Sequence, residues 1–322
     1  MKAIRVGGNG GPELLKLEEL PDPIPARGEV LVRIEAAGLN FIEIYQRKGQ
    51  YSMTLPYTPG NEGAGTVVKV GEGVKTVGVG DRVVSVAFRG SYAELAIAPA
   101  DRVVTIPDGM STTTAAATLL QGLTAHYLTT STYPLSPGTW CLVHAAAGGV
   151  GLLLCQIART RGALTIGTVS SIGKARWATD AGAHTVIVYS SADFPPEVRR
   201  ITGGRGVDVV YDSVGATTFQ GSLDSLVPRG TLALFGQSSG PVPPFDPQQL
   251  NAKGSLFLTR PTLTHYVATR EELVARCQDL FDWVTSGALN IRIHAEYPLR
   301  EAEQAHRDLE SRFTAGKLLL IP

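Results

Sequence analysis

The chain has 322 residues, 43% of them hydrophobic, enough for a large core and for two domains rather than one. Lysine plus arginine and aspartate plus glutamate both number 29, so the net charge is zero and the basic excess of a nucleic-acid-binding protein is missing. Three cysteines without a CxxC pair argue against a disulfide framework and fit a reducing cytoplasm, and neither a signal-peptide core nor an apolar stretch of membrane length occurs.

From residue 1 to about 109 the pattern predicts strands and turns. In EVLVRIEAAG, Val30, Val32 and Ile34 alternate with Glu29, Arg33 and Glu35, the period of a half-buried strand. PGNEGAGTVVKVGEGVKTVGVGDRV, from Pro59 to Val83, reads as two short strands with a tight turn at Gly71-Glu72-Gly73. DRVVSVAF, SYAELAIA and DRVVTIPDG continue in short pieces, which suggests a compact, mostly antiparallel barrel or sandwich. Ser111 then caps a predicted helix carrying Ala115, Ala116, Leu119, Leu120 and Leu123.

From Trp140 the rhythm becomes strand, helix, strand. TWCLVHA, ALTIGTV, TVIVY, VDVVYD, TLALFG and GSLFLT are six near-continuous apolar strands, and VGLLLCQIARTRG and IGKARWATDAG are helices closed by Gly162 and Gly182. The series predicts a doubly wound parallel sheet. After Pro261 come an amphipathic helix, REELVARCQDLFDWVTSG, and a last helix-strand unit, which could extend either domain.

The turn after the first parallel strand carries the strongest local chemistry. HAAAGGVG has the dinucleotide spacing Ala146-x-Gly148-x-x-Gly151: Gly148 lets the backbone approach a pyrophosphate, and Gly151 lets the helix pack on the strand. An NAD site would place an acidic residue about twenty positions on, yet no acidic residue lies between Asp108 and Asp180. Ser170, Ser171 and Lys174 suit a 2′-phosphate instead, so the cofactor read from the residues is NADPH. Metal is not expected in the first domain: residues 1–125 contain no cysteine and no histidine, and Glu62 alone would not hold zinc.

A family resemblance follows from these segments. PGNEGAG resembles the G-H-E segment of medium-chain alcohol dehydrogenases with Asn61 in place of the zinc-ligand histidine. AAGLNFIEIYQRKGQY resembles their catalytic-cysteine segment with Asn40 at the cysteine position. The cysteine-rich structural-zinc lobe is missing. With HAAAGGVG, YDSVG, FGQSSG, GSLFLTRPTL and ESRFTAG, the chain resembles over nearly its whole length the zinc-free NADPH:quinone oxidoreductase (ζ-crystallin-like) branch.

The resemblance implies an α/β fold: a GroES-like, mostly β catalytic domain plus a doubly wound parallel-sheet Rossmann domain. The expected boundaries are 1–123 for the catalytic domain, 124–262 for the cofactor domain, and 263–322 for a C-terminal segment returning to the first. It implies reduction of a quinone in the interdomain cleft, with Asn40, Glu43, Tyr45, Tyr51 and Asn61 as catalytic residues. It assigns the cofactor to Asn40, Phe41, Tyr45, Thr124, Tyr127, Gly148, Gly149, Val150, Gly151, Ser170, Ser171, Lys174, Tyr189, Ser213, Phe235, Gly236, Gln237, Ser238, Ser239, Thr259, Pro261 and Arg312. Glu43 stands where the family commonly has aspartate. The expected partners are a small quinone and a second copy of the chain, with no membrane. Two competing readings keep the same cofactor motifs: an enone or enoyl reductase, with specificity set around Tyr45, Tyr51 and Leu263, and a non-catalytic NADPH-holding structural or RNA-binding protein. Without the resemblance, Tyr45 and Tyr51 read as core aromatics and Asn61 as a turn residue.

Overall fold

A computed structural model describes all residues 1–322 and divides the chain into two units. The first comprises residues 1–120, 269–286 and 291–322; the second comprises 121–268 and 287–290.

The first unit opens with an antiparallel pair, β1 (Lys2–Val6) and β2 (Leu15–Glu19). No sequence pattern announces β2, because only Leu15 of its five residues is buried and it lacks the alternation of a half-buried strand. The main sheet holds β3 (Glu29–Gly38), β4 (Gly63–Val70), β5 (Arg82–Ser85), β6 (Leu95–Pro99) and β7 (Val104–Thr105). On β3, Val30, Val32 and Ile34 are buried while Arg33 and Glu35 are exposed, as the alternation predicts. Each such side chain contributes roughly 1.5–3 kcal/mol of burial free energy. Two helices belong to this sequence region, α1 (Phe41–Arg47) and α2 (Thr112–Tyr127). Ser111 caps α2: its Oγ accepts from the Thr114 amide at 3.0 Å.

The second unit contains six parallel strands, β8 (Trp140–Val143), β9 (Leu164–Val169), β10 (Thr185–Val188), β11 (Val207–Asp212), β12 (Leu226–Leu234) and β13 (Phe257–Thr259). Their order, β10-β9-β8-β11-β12-β13, reverses direction of winding between β8 and β11. In such sheets the carboxyl ends beside that reversal open a crevice for ligands. Leu142, Ile166, Ile187, Val210 and Leu232 form its buried core with helices on both faces, hence the unbroken apolar runs. The helices that matter below are α3 (Gly149–Thr160), α4 (Ile172–Asp180), α5 (Phe194–Ile201) and α6 (Phe219–Asp224). Gly182, just past α4, has φ +110°, the left-handed backbone that a helix-closing glycine supplies.

The last part of the chain extends the first unit's sheet. β14 (Ile293–Pro298) and β15 (Lys317–Ile321) pair in parallel, and Leu319 and Leu320 of β15 lie opposite Gly38 and Ala37 of β3.

Candidate active site

Most of the second-unit residues that the sequence assigns to a cofactor lie at the carboxyl ends of the parallel strands. Gly148 is the N-cap of α3 in extended backbone, and no side chain caps it, so the first amides of the helix face outward without an internal acceptor from a cap. A Cβ on Gly151 would stand 2.3 Å from the Ala145 carbonyl oxygen, and one on Gly149 would stand 2.1 Å from the Gln121 side chain. Ala145 itself has φ +50°. At Gly151 the backbone therefore leaves no room for a side chain, and the positive end of a twelve-residue helix stands at the mouth of the turn. These features fit a dinucleotide pyrophosphate at Gly148, Gly149, Val150 and Gly151.

Ser170 and Ser171 follow β9 directly; Ser171 is the exposed N-cap of α4, whose first turn carries the half-buried Lys174. No acidic side chain stands in that first turn. Tyr189, at the end of β10, is 45% exposed and its amide donates to Val169 O at 3.1 Å, which brings it beside the β9 terminus. Two further loops are laced together. Phe235 and Gly236 amides donate to Asp212 O, Ser238 N to Ser213 O, and Ser239 N to Val214 O. A Cβ on Gly236 would fall 2.5 Å from Ser213 O. Gln237 lies in this loop, Thr259 ends β13 next to it, and Pro261 follows. Thr124 and Tyr127 lie buried on α2, where Tyr127 stacks on Tyr266 at 4.2 Å and 9°. Arg312 lies in the first unit, exposed, with the left-handed φ of +63° that ends the helix Ala302–Ser311.

In the first unit the residues about Asn40 form a closed polar cluster. Asn40 caps α1: its amide donates to Glu43 Oε2 at 2.8 Å in a capping box. The Asn40 carboxamide donates to Gly38 O at 3.3 Å and to Glu62 Oε2 at 3.0 Å, while its Oδ1 accepts from Lys317 Nζ at 2.7 Å. Lys317 Nζ also lies 2.5 Å from Glu62 Oε2, and Glu62 Oε1 accepts from the Leu120 amide at 2.6 Å. Lys317 and Glu62 are both fully buried. The Asn40 amide hydrogens are thus spent inside the protein, and donating one to a substrate would break a bond already made.

Glu43 is likewise buried to 0% exposure, with Oε1 3.4 Å from the Asn61 amide. Burial pushes its carboxyl up to about 7, opposed by the Lys317 charge. It stands at the third position of α1, where it closes the capping box with Asn40. Tyr45 is buried on α1, and Tyr51 packs edge-on against it at 5.6 Å and 73°. The Phe41 ring is tilted against Tyr45 at 6.1 Å and 39°. Tyr51 is 38% exposed and Asn61 is partly exposed.

Sequence reasoning did not find Lys317 or the role of Glu62. A single lysine opening the apolar run KLLLIP was the available signal, but its partner is 255 residues away. It also missed His144, buried beneath the carboxyl ends of β8, β9 and β11. His144 Nδ1 lies 2.8 Å from Thr168 Oγ1 and Nε2 3.0 Å from Ser222 Oγ, and Ser222 donates to Asp212 Oδ2 at 2.9 Å. Since Ser222 gives its proton to Asp212, it accepts from His144 Nε2–H, and Thr168 donates to Nδ1. Burial lowers the His144 pKa, which favours this neutral ring.

Comparison with known proteins places this geometry in a class. Residues 26–108 match the alcohol dehydrogenase GroES-like domain and residues 149–285 the zinc-binding dehydrogenase domain, the two halves of a medium-chain dehydrogenase/reductase. The quinone oxidoreductase of Salmonella typhimurium is 46% identical over 318 residues, 98% of this chain and 97% of that protein. A mycobacterial protein solved in complex with NADPH is 50% identical with TM-score 0.98, each chain covered fully. The Escherichia coli quinone oxidoreductase solved with NADPH is 45% identical with TM-score 0.98, again over the whole of both chains. The chain belongs to the quinone oxidoreductase family of medium-chain dehydrogenases/reductases.

The zinc of the matched domain's name does not suit these residues. No three histidine, cysteine, aspartate or glutamate side chains come together to hold a metal ion. Asn40 and Asn61 are neutral amides, and the Glu62 carboxylate is committed to Lys317, Asn40 and Leu120.

Proposed function

We propose that this protein is an NADPH-dependent quinone reductase that works without zinc. The observation carrying the reading is the glycine turn after β8, where Gly151 has no room for a Cβ and the start of α3 is uncapped. The relatives' names support a quinone as acceptor, and the two NADPH complexes support the phosphorylated cofactor. NADPH, when bound, supplies a hydride to the acceptor.

The second unit holds the cofactor in this reading: residues 148–151 take the pyrophosphate, and Ser170, Ser171 and Lys174 take the 2′-phosphate. Thr124, Tyr127, Tyr189, Ser213, residues 235–239, Thr259 and Pro261 line the remainder. The first unit contributes Phe41, Tyr45 and Arg312 to the cofactor, and Tyr51 and Asn61 to the quinone. Those two donors stabilise negative charge on the quinone oxygen as it is reduced. Tyr45 offers a flat apolar face, Asn40 acts by holding the start of α1, and Glu43 by capping it. We extend the reading to a cytoplasmic homodimer joined along the edge strand β13, supported by Phe257 on that edge at 61% exposure. No helix is long and apolar enough to cross a membrane.

Steady-state turnover of a benzoquinone and an enone side by side, with NADPH and with NADH, tests this. Quinone turnover that prefers NADPH is expected. Enone reduction without quinone reduction would assign a different acceptor, and tight NADPH binding without any turnover would leave a cofactor-holding protein. Tyr51→Phe should lower kcat/KM for the quinone about tenfold to a hundredfold, some 1.4–2.8 kcal/mol, with NADPH affinity unchanged.

A further inference from the structure

We propose that Lys317 and Glu62 are positioning residues for quinone reduction: their buried ion pair fixes the Asn40 carboxamide, and through it the start of α1 and the Tyr45–Tyr51 aromatic pair. The inference rests on the quinone-reductase reading.

Two charges wholly out of water carry a large desolvation penalty, and a pair that only filled space could be replaced by apolar side chains at no loss. This pair is bonded on every side. Glu62 Oε1 holds Leu120 N, its Oε2 takes both Lys317 and Asn40 Nδ2, and Lys317 reaches on to Asn40 Oδ1. The two ends of the carboxamide therefore have opposite partners. Turning it over would set its NH2 against the ammonium and its oxygen against the carboxylate, so one orientation is left.

Gly38 keeps the space for this arrangement: a Cβ there would meet Glu62 Oε2 at 2.1 Å and Lys317 Cε at 2.9 Å. The consequence runs along α1. Asn40 N closes the capping box with Glu43, and the helix that starts there carries Tyr45, whose ring meets Tyr51 edge-on. Lys317, on the last strand of the chain, thereby sets the geometry of groups that face the quinone without touching it.

The test compares the wild type with Lys317→Met, Glu62→Gln and the double variant Lys317→Met/Glu62→Met. The single Lys317→Met leaves a carboxylate buried without a cation and should lose much stability in denaturant titration. The double variant removes both charges and should recover it. We expect the double variant to reduce benzoquinone with kcat about 10–100-fold lower, a loss of the size that small misplacements cause, while NADPH affinity, set mainly by residues 148–151 and 170–174, falls by much less. Glu62→Gln, nearly isosteric, should lose kcat in the same direction even if the double variant does not fold. Hydrogen exchange of the Asn40 side-chain amide by NMR reads positioning without turnover: protected in wild type, unprotected in the variants. Wild-type kcat in the double variant or in Glu62→Gln, or unchanged Asn40 protection, would overturn the inference. A wild-type protein that turns over no quinone overturns the functional reading instead, while the exchange measurement still decides this one.

Discussion

The carbonyl oxygen of Ala145 stands 2.3 Å from where a Cβ on Gly151 would be, and the Ala146 Cα stands at 2.8 Å. Both obstacles are backbone, so a side chain at residue 151 can enter only by tilting α3 away from β8. Gly151→Val should therefore remove NADPH binding while the second unit's secondary structure persists. Fluorescence titration with NADPH, alongside circular dichroism, checks this. A folded Gly151→Val protein with ordinary NADPH affinity would reduce the turn to a packing device.

Cofactor choice should depend on the first turn of α4. Replacing Lys174 with alanine should weaken NADPH by on the order of 1.5–3 kcal/mol and leave NADH nearly untouched, because only the former carries a 2′-phosphate. Equal weakening of both cofactors in isothermal titration would mean that Lys174 serves the fold and not the phosphate.

Glu43 should make stability fall with rising pH. Its folded-state carboxyl keeps its proton to about pH 7, whereas an ordinary glutamate releases it near 4.5. Between those values the folded chain binds more protons than the unfolded chain, so stability is lost as pH rises through the window and the full penalty is present above it. That penalty is about 3 kcal/mol. His306 acts oppositely: burial and the neighbouring Arg47 hold its ring down to about 3, so it withdraws stability as pH falls below about 6.5. Glu43→Gln isolates the first effect. Going from pH 5 to pH 8, the denaturant midpoint should fall less, or rise more, in Glu43→Gln than in wild type, because the opposite trend of His306 remains; an unchanged pH slope would contradict the assignment.

Zinc should be absent from the purified protein at stoichiometric level, and chelators should leave quinone turnover intact, since the polar cluster about Asn40 is closed by a lysine and no soft ligand set exists. Elemental analysis with an activity assay decides it: one zinc per chain, lost together with activity on chelation, would refute the proposal.

Much of the second unit was legible because its signals are local. Strands covered on both faces are apolar throughout, glycines close helices where left-handed backbone is required, and a phosphate turn needs small residues at fixed spacing. Val30, Val32 and Ile34 declared their buried face by period alone. The hairpin strand β2 escaped for the converse reason, since four of its five residues are exposed.

The class of fold, the glycine turn after the first parallel strand and the missing acidic residue twenty positions beyond it were determined by residue type and short spacing, and those survive any arrangement of the rest. The role of Asn40 was not. From sequence its carboxamide reads as a free donor, and only folding brings Lys317 and Glu62 to it from 277 and 22 residues away. Hydrogen-bond saturation depends on which distant groups share a buried space, and no local pattern encodes that. The same holds for His144, which is an ordinary residue at the end of a strand until Thr168 and Ser222 close on its two nitrogens.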